Sequence, residues 1–231
     1  MQLLDVGLYS LSETARLLRV NSKTLRHWAE GYPFVVKGKT HNSPPILNRD
    51  LPPLDGEAVL TFNDLLELHM VKIFRDAGVS LQTIRAAVEK AAGMYNTNHP
   101  FTIKQFETDG NSIFATLQSK GVEGVPHLTL LQDLNRSQMV MDSIARPFFK
   151  KVEYEKFEPR RYWPNGRDGH VVLDPRRSFG KPIDAKSGVS TAVLYAMARG
   201  GETVQNIADW YSVDVASVEE AVEFEHSLKR T

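Results

Sequence analysis

Ser22, Lys23, Thr24, Arg26 and His27 crowd the start of one predicted helix. Hydroxyls, cations and an imidazole at that place are the side chains that bond guanine edges and phosphates when the first turns of a helix enter a major groove. Leu25 and Trp28 are three residues apart and pack inward, which leaves Lys23, Thr24, Arg26 and His27 on the outer side. No second histidine sits at ligand spacing from His27, so it is read as a packing or phosphate residue rather than a metal ligand. The plainer reading is a solvated basic face on an ordinary helical hairpin. Nucleic-acid recognition is preferred because cap, turn, glycine stop and charge all agree.

The elements that must hold these side chains are legible around them. Ser10 and Glu13 have capping-box spacing, so a first helix begins near Leu11, with Ala15 and Leu18 on its inner face. Val20-Asn21-Ser22 makes the turn, with Ser22 expected as the N-cap of a second helix that runs to Glu30 and stops at Gly31. Residues 33–60 are rich in Pro, Gly and Asn and read as a long wing-like loop. Thr61 caps a helix through Ala77 that buries Leu65, Leu68, Val71 and Phe74. Ser80 caps the next, Leu81 to Ala92, with Ile84, Ala87, Val88 and Ala91 inward, and Gly93 and the segment 96–100 end it.

Beyond this point the pattern changes. Residues 101–107 alternate with period two, Asp109-Gly110 offers a turn, and 112–116 returns, which predicts a β-hairpin. A helical stretch over 127–149 follows the low-complexity linker 120–126, and 151–157 alternates as a strand. Glu153, Glu155 and Glu158 fit the solvent face of that strand better than acid–base chemistry. Asp174-Pro175 and Gly180-Lys181-Pro182 mark turns about a short strand. Three helices are expected near 191–199, 204–211 and 217–227, with Thr203 and Asp214 as N-caps and Ala192, Leu194, Tyr195, Ile207, Ala208, Tyr211, Val218, Val222 and Phe224 inward. The last two helices repeat the helix-turn-helix pattern of the first two.

Charge separates the two patterns. The chain of 231 residues has no net formal charge, yet residues 1–49 carry seven basic against three acidic side chains, and residues 202–231 carry seven acidic against two basic. A phosphate backbone is attracted to the first region and repelled by the second. The absence of cysteine excludes disulfides, thiolate zinc sites and cysteine nucleophiles. No apolar run approaches the roughly 20 residues of a membrane span, and the N-terminus is a poor secretory signal, so a cytoplasmic protein is expected. No phosphate-cradling Gly loop, paired-His metal motif or Gly-x-Ser-x-Gly elbow is present. An enzyme is not expected, nor is a cofactor or metal.

Tyr9, Leu11, Ala15, Leu17, Val20, Thr24-Leu25-Arg26, Trp28, Phe62-Asn63-Asp64-Leu65 and Gly78 to Ile84 resemble the DNA-binding domain of MerR-like regulators over about residues 9–92. The resemblance implies that Arg26 lies on a recognition helix and that Lys37, Lys39, His41 and Arg49 contact backbone phosphate from the wing. Asp174-Pro175, Phe179 to Pro182, Ile207 to Tyr211 and Val218 to Val222 resemble the domain-of-unknown-function 433 family, found in VapB-type antitoxins. The departures are a Pro-rich wing, an early end to the fourth helix where MerR-like dimers have a long coiled coil, and Lys186 to Ser190 in place of a Gly-Thr-Arg-Ile type of segment.

The fold expected is α+β, mainly α: a MerR-like winged helix-turn-helix domain over 1–95, a β-hairpin and helix connecting region over 96–165, and a three-helix module over 166–231 for toxin binding or dimerisation. The resemblance implies a type II antitoxin that acts as a homodimer, neutralises a PIN-like ribonuclease toxin and represses its own operon by binding operator DNA. The same resemblance brings Trp210, Tyr211, Glu219 and Glu223 to a toxin surface made basic for RNA, and Lys229 and Arg230 to the toxin's acidic site. The alternative is a MerR-like ligand-responsive regulator without a toxin.

Overall fold

The computed structural model describes residues 5–229, apart from the side chain of Ile144. The order begins with β1 (Tyr9–Ser10), α1 (Leu11–Leu18), α2 (Ser22–Glu30), β2 (Tyr32–Val36), β3 (Lys39–Ser43), β4 (Val59–Leu60), α3 (Phe62–Asp76) and α4 (Leu81–Tyr95). It continues with α5 (Phe106–Lys120), α6 (His127–Val140), a π-helical turn (Met141–Ala145) and α7 (Arg146–Lys150). The strands β5 (Val152–Glu155), β6 (Glu158–Tyr162), β7 (Val171–Leu173) and β8 (Pro182–Asp184) follow, then α8 (Thr191–Arg199), α9 (Val204–Tyr211) and α10 (Val215–Ser227). The protein is mixed and mainly helical, with small antiparallel sheets.

Local rules set the first half. Both capping boxes form, Ser10 with Glu13 and Thr61 with Asp64, so α1 and α3 start where their orphan amides find side-chain oxygens. The cap of α2 is Asn21 rather than Ser22: its carboxamide oxygen accepts from the Lys23 amide at 2.9 Å, which leaves Ser22 as the first helical residue. The stretch after α2 is not one long loop, because Tyr32–Val36 pairs in register with Lys39–Ser43 about a Lys37-Gly38 turn. Gly31 makes that exit possible. Its φ is +76°, and a Cβ there would sit 2.5 Å from the Ser43 carbonyl oxygen. Gly93 does not end α4; the helix passes through it to Tyr95 and stops at Asn96 in the left-handed region.

The predicted hairpin over 101–116 is the largest departure. Residues 106–120 form α5, and Phe106, Gly110, Ile113 and Phe114 share its buried face at helical spacing. Gly110 is not a turn residue. A Cβ there would lie 2.6 Å from Met141 Cε, so glycine allows α5 to pack closely on the π-helical turn. The apparent alternation comes from Phe101 and Ile103, two buried anchors in the connector before α5.

One apolar cluster runs from Tyr9 through α3, α4 and α5 to Leu173, built on Phe62, Phe74, Phe101, Phe106, Phe114 and Phe149. A second joins Leu194, Ile207, Ala208, Val218 and Ala221. Ala192, expected inside, is exposed. The four-stranded sheet β5-β6-β7-β8 joins the middle segment to the C-terminal helices. Among the described residues no helix is long and apolar enough to cross a membrane.

Candidate nucleic-acid and partner-protein surfaces

Burial of Leu25, Trp28 and Ala29 under α1 and the core fixes the rotation of α2, so Ser22, Lys23, Thr24 and Arg26 face solvent along its first two turns. Arg26 is 65% exposed, with Glu30 3.9 Å away one turn later. An exposed pair at that distance is weak enough for a phosphate or base to displace. His27 is half-buried and stacks on Tyr32 at 4.2 Å, so the helix and hairpin are joined by an aromatic contact. Phe34 stacks on His41 at 5.5 Å across the hairpin, whose tip carries exposed Lys37 and Lys39 beside exposed Val35 and Val36. These residues form one basic ridge beside α2. Arg49 is apart from it, in the loop after β3, half-buried with its Nη1 out of solvent.

A groove beside α2 is lined by Arg19, Thr24, His27, Tyr32, Lys72 and Arg75. Lys72 and Arg75 were missed in sequence because they lie on α3, some fifty residues on. Their only signal is a spacing of three on the partly exposed side of that helix.

Sequence periodicity also gives no warning of how the C-terminal helices dock on the first helix. The Tyr9 hydroxyl donates to the Gly180 carbonyl at 2.5 Å, and the Leu8 amide donates to the Phe179 carbonyl at 2.9 Å. Arg16 pairs with buried Glu225 at 2.8 Å, and Arg19 donates to the Ser227 hydroxyl at 2.5 Å. Lys181 stands 3.5 Å from Glu13. Burial pushes the Glu13 carboxyl up, but the Ser10 amide and hydroxyl and Lys181 outweigh it and hold it below the ordinary range. Leu17 seals the contact against Val171, Phe224 and Leu228. Two of the basic residues counted as DNA attractors, Arg16 and Arg19, are therefore spent within the chain.

The expected toxin-facing residues fall into separate settings. Trp210 is 58% exposed on α9, next to half-buried Tyr211, and Val193 and Val215 add apolar exposure on the same three-helix unit. Glu219 is exposed on α10. Glu223 instead lines a cleft with Arg19, Asp168 and Glu220, against the N-terminal helices. Lys229 is drawn back onto the chain, its Nζ 4.4 Å from the Tyr195 ring centre. Arg230 lies outside the described residues.

Comparison with known proteins follows the same division. Residues 7–88 match a family described as "Putative DNA-binding HTH domain", and residues 171–224 match "Protein of unknown function (DUF433)". A Mycobacterium tuberculosis protein named "Putative antitoxin VapB45" is 30% identical over 95% of this chain and 94% of its own. A second protein from that organism, "Uncharacterized protein Rv2308", is 24% identical over 96% and 91% of the two chains. The crystal structure of Rv2018 from M. tuberculosis superposes with a TM-score of 0.70 at 27% identity, over 95% of this chain and 99% of that one. With near end-to-end identity at that level, and a DNA-binding helix-turn-helix domain ahead of a DUF433 domain, the chain belongs to the VapB45 family of antitoxin-like helix-turn-helix proteins.

Proposed function

We propose that this protein is the antitoxin of a type II toxin–antitoxin system, a regulator and not an enzyme. In this reading it represses its own operon through the N-terminal helix-turn-helix, in the MerR-like winged manner, and neutralises a PIN-like ribonuclease through the C-terminal helices. The observation that carries the DNA half is the basic ridge: Ser22, Lys23, Thr24 and Arg26 on the open turns of α2, with His27 tying them to the hairpin that bears Lys37, Lys39 and His41. Arg26 is assigned to a base edge and the hairpin lysines to phosphate. Arg49, in the loop after β3, is assigned to phosphate beside the ridge. Residues 1–95 hold this function, 96–165 connect, and 166–231 meet the toxin. The protein acts as a homodimer on an inverted repeat, with half-sites about one helical turn apart.

The toxin half is supported by Trp210, an exposed aromatic anchor next to Tyr211 on α9, and by the acidic Glu219 and Glu223 exposed on α10. Lys229 reaches the toxin's carboxylates only if its contact with Tyr195 is given up, and Arg230 is assigned to the same acidic site. Affinity purification of the full chain from its native host tests the reading. A small ribonuclease recovered in stoichiometric amount, lost with Trp210→Ala, supports it. Specific operator binding by a chain that brings down no ribonuclease leaves the ligand-responsive regulator as the better account.

A further inference from the structure

Away from both surfaces, three side chains from distant parts of the chain meet at the N-terminus of α3. Asp64 is the third residue of that helix and is fully buried, Asp50 comes from the loop before β4, and His99 comes from the connector after α4. Thr61 holds the outer oxygen of each carboxylate: its amide donates to Asp64 Oδ2 at 2.8 Å and its hydroxyl donates to Asp50 Oδ2 at 2.9 Å. The remaining oxygens turn toward His99. Its Nε2 lies 2.8 Å from Asp50 Oδ1 and 3.8 Å from Asp64 Oδ1. Asp50 Oδ1 stands at ion-pair distance from His99, whereas Asp64 Oδ1 is buried without a hydrogen-bond partner among the described residues.

We propose that Asp50 Oδ1, Asp64 Oδ1 and His99 Nε2 bind one divalent first-row transition cation, of the Zn²⁺ or Mn²⁺ kind. The three ligand atoms lie within 4.8 Å of one another. Bonds of about 2.0–2.2 Å to a tetrahedral ion place ligand atoms roughly 3.4 Å apart, and the two Nε2 distances bracket that value. Charge is compatible: two carboxylates and a neutral imidazole balance a dication, which would replace a protonated His99 as the counter-charge facing Asp50 and Asp64. An imidazole beside two hard oxygens favours a transition ion over Mg²⁺ or Ca²⁺.

The surrounding structure holds the ligands in place. The His99 amide donates to Thr97 Oγ1 at 3.2 Å, and its carbonyl accepts from the Thr102 hydroxyl at 2.9 Å. Glu67, one turn along α3 from Asp64, accepts the Phe101 amide at 3.0 Å and so pins the His99 connector to the helix. Thr61 provides the hydrogen bonds that orient ligating carboxylates. Asp50 has a side chain 32% exposed and, with Thr61, lines a cleft that reaches Asn96, Thr97 and the turn between β5 and β6. Water enters by that route to complete the coordination. No motif announces the site, because its members are 14 and 35 residues apart.

The test is calorimetric titration of the full chain, stripped with EDTA, with ZnCl₂ and MnCl₂. One saturable equivalent per chain is expected, with affinity reduced at least about tenfold by His99→Gln and by Asp50→Asn. His99→Gln leaves the capping bonds of Asp64 alone, Asp50→Asn keeps a carbonyl oxygen for the Thr61 hydroxyl, and circular dichroism checks that both variants fold. At a hundredfold excess over Kd the wild-type Tm should rise by at least about 5 °C, a gain absent from both variants. Absence of saturable binding overturns the proposal. So does equal affinity in wild type and variants, which would place the ion on surface histidines, and so does Mg²⁺ binding as tightly as Zn²⁺.

Discussion

The α1–α2 and α9–α10 pairs are built alike and charged oppositely. In the first, α1 ends at Arg19 with φ 52°, the Val20 amide returns to the Ala15 carbonyl at 2.9 Å, and the Leu25 amide closes on Asn21. In the second, α9 ends at Ser212 with φ 53°, the Val213 amide returns to the Ala208 carbonyl at 3.0 Å, and the Val218 amide closes on Asp214. The turn is the same device twice: one left-handed residue, one apolar residue that returns to the core, and one polar residue that opens the next helix. What differs is the free face. The open turns of α2 show Lys23, Thr24 and Arg26, whereas α10 shows Glu219 and Glu223 and buries Glu225 against Arg16. The helix-turn-helix is therefore a packing solution that occurs twice here, with opposite charge on the second helix of each pair.

The pairs also lean on each other, and the largest predicted effect breaks that contact. Gly180 has φ +81°, and a Cβ there would collide with the Tyr9 hydroxyl. Gly180→Ala should lower unfolding stability by about 3 kcal/mol or more in urea titration, from left-handed strain and the lost Tyr9 bond together. Arg16→Ala comes next. It leaves the buried Glu225 carboxylate with Thr191 alone at 2.6 Å, and about 2 kcal/mol is expected, less than for a wholly buried pair because Arg16 is 39% exposed.

The caps sharpen the likeness itself. Asn21 makes a side-chain cap bond and Asp214 makes none. Asn21→Ala should cost about 1 kcal/mol, and Asp214→Ala only a few tenths, in the same titration. Equal costs would show that the two turns are held by something other than their caps.

The last effect concerns pH. His69 packs edge-on to Phe148 and Tyr162, and its Nδ1 is buried without a partner. Burial, then Lys72 and Lys151, push its imidazole down to about 4, with Asp76 opposing. The unfolded chain then binds the proton first as pH falls, so the stability that neutral His69 allows above pH 6.5 is lost progressively toward pH 4. His69→Phe should flatten that part of the stability profile, by up to about 1 kcal/mol per pH unit.

Local chemistry was the legible part of this chain. Ser10 with Glu13, Thr61, Ser80 and Thr203 mark helix starts that the structure keeps, because a cap is decided within three or four residues. Asp109-Gly110 misled because a glycine needed for close approach to Met141 is identical in sequence to one needed for a turn. Placement of Lys23 and Arg26 on an open face was readable from Leu25 and Trp28. The Tyr9–Gly180 and Arg16–Glu225 contacts were not, since they span 171 and 209 residues and leave no periodic trace. Nor was the placement of Lys72 and Arg75 beside α2.

Fluorescence-anisotropy titration of the protein's own promoter fragment, with Lys23→Ala/Arg26→Ala and Glu219→Ala/Glu223→Ala side by side, tests the division of labour most directly. The first pair should weaken specific binding by at least about tenfold and the second should leave it unchanged or slightly stronger. Binding that survives the first pair, or fails with the second, would contradict the assignment of DNA to the basic helix.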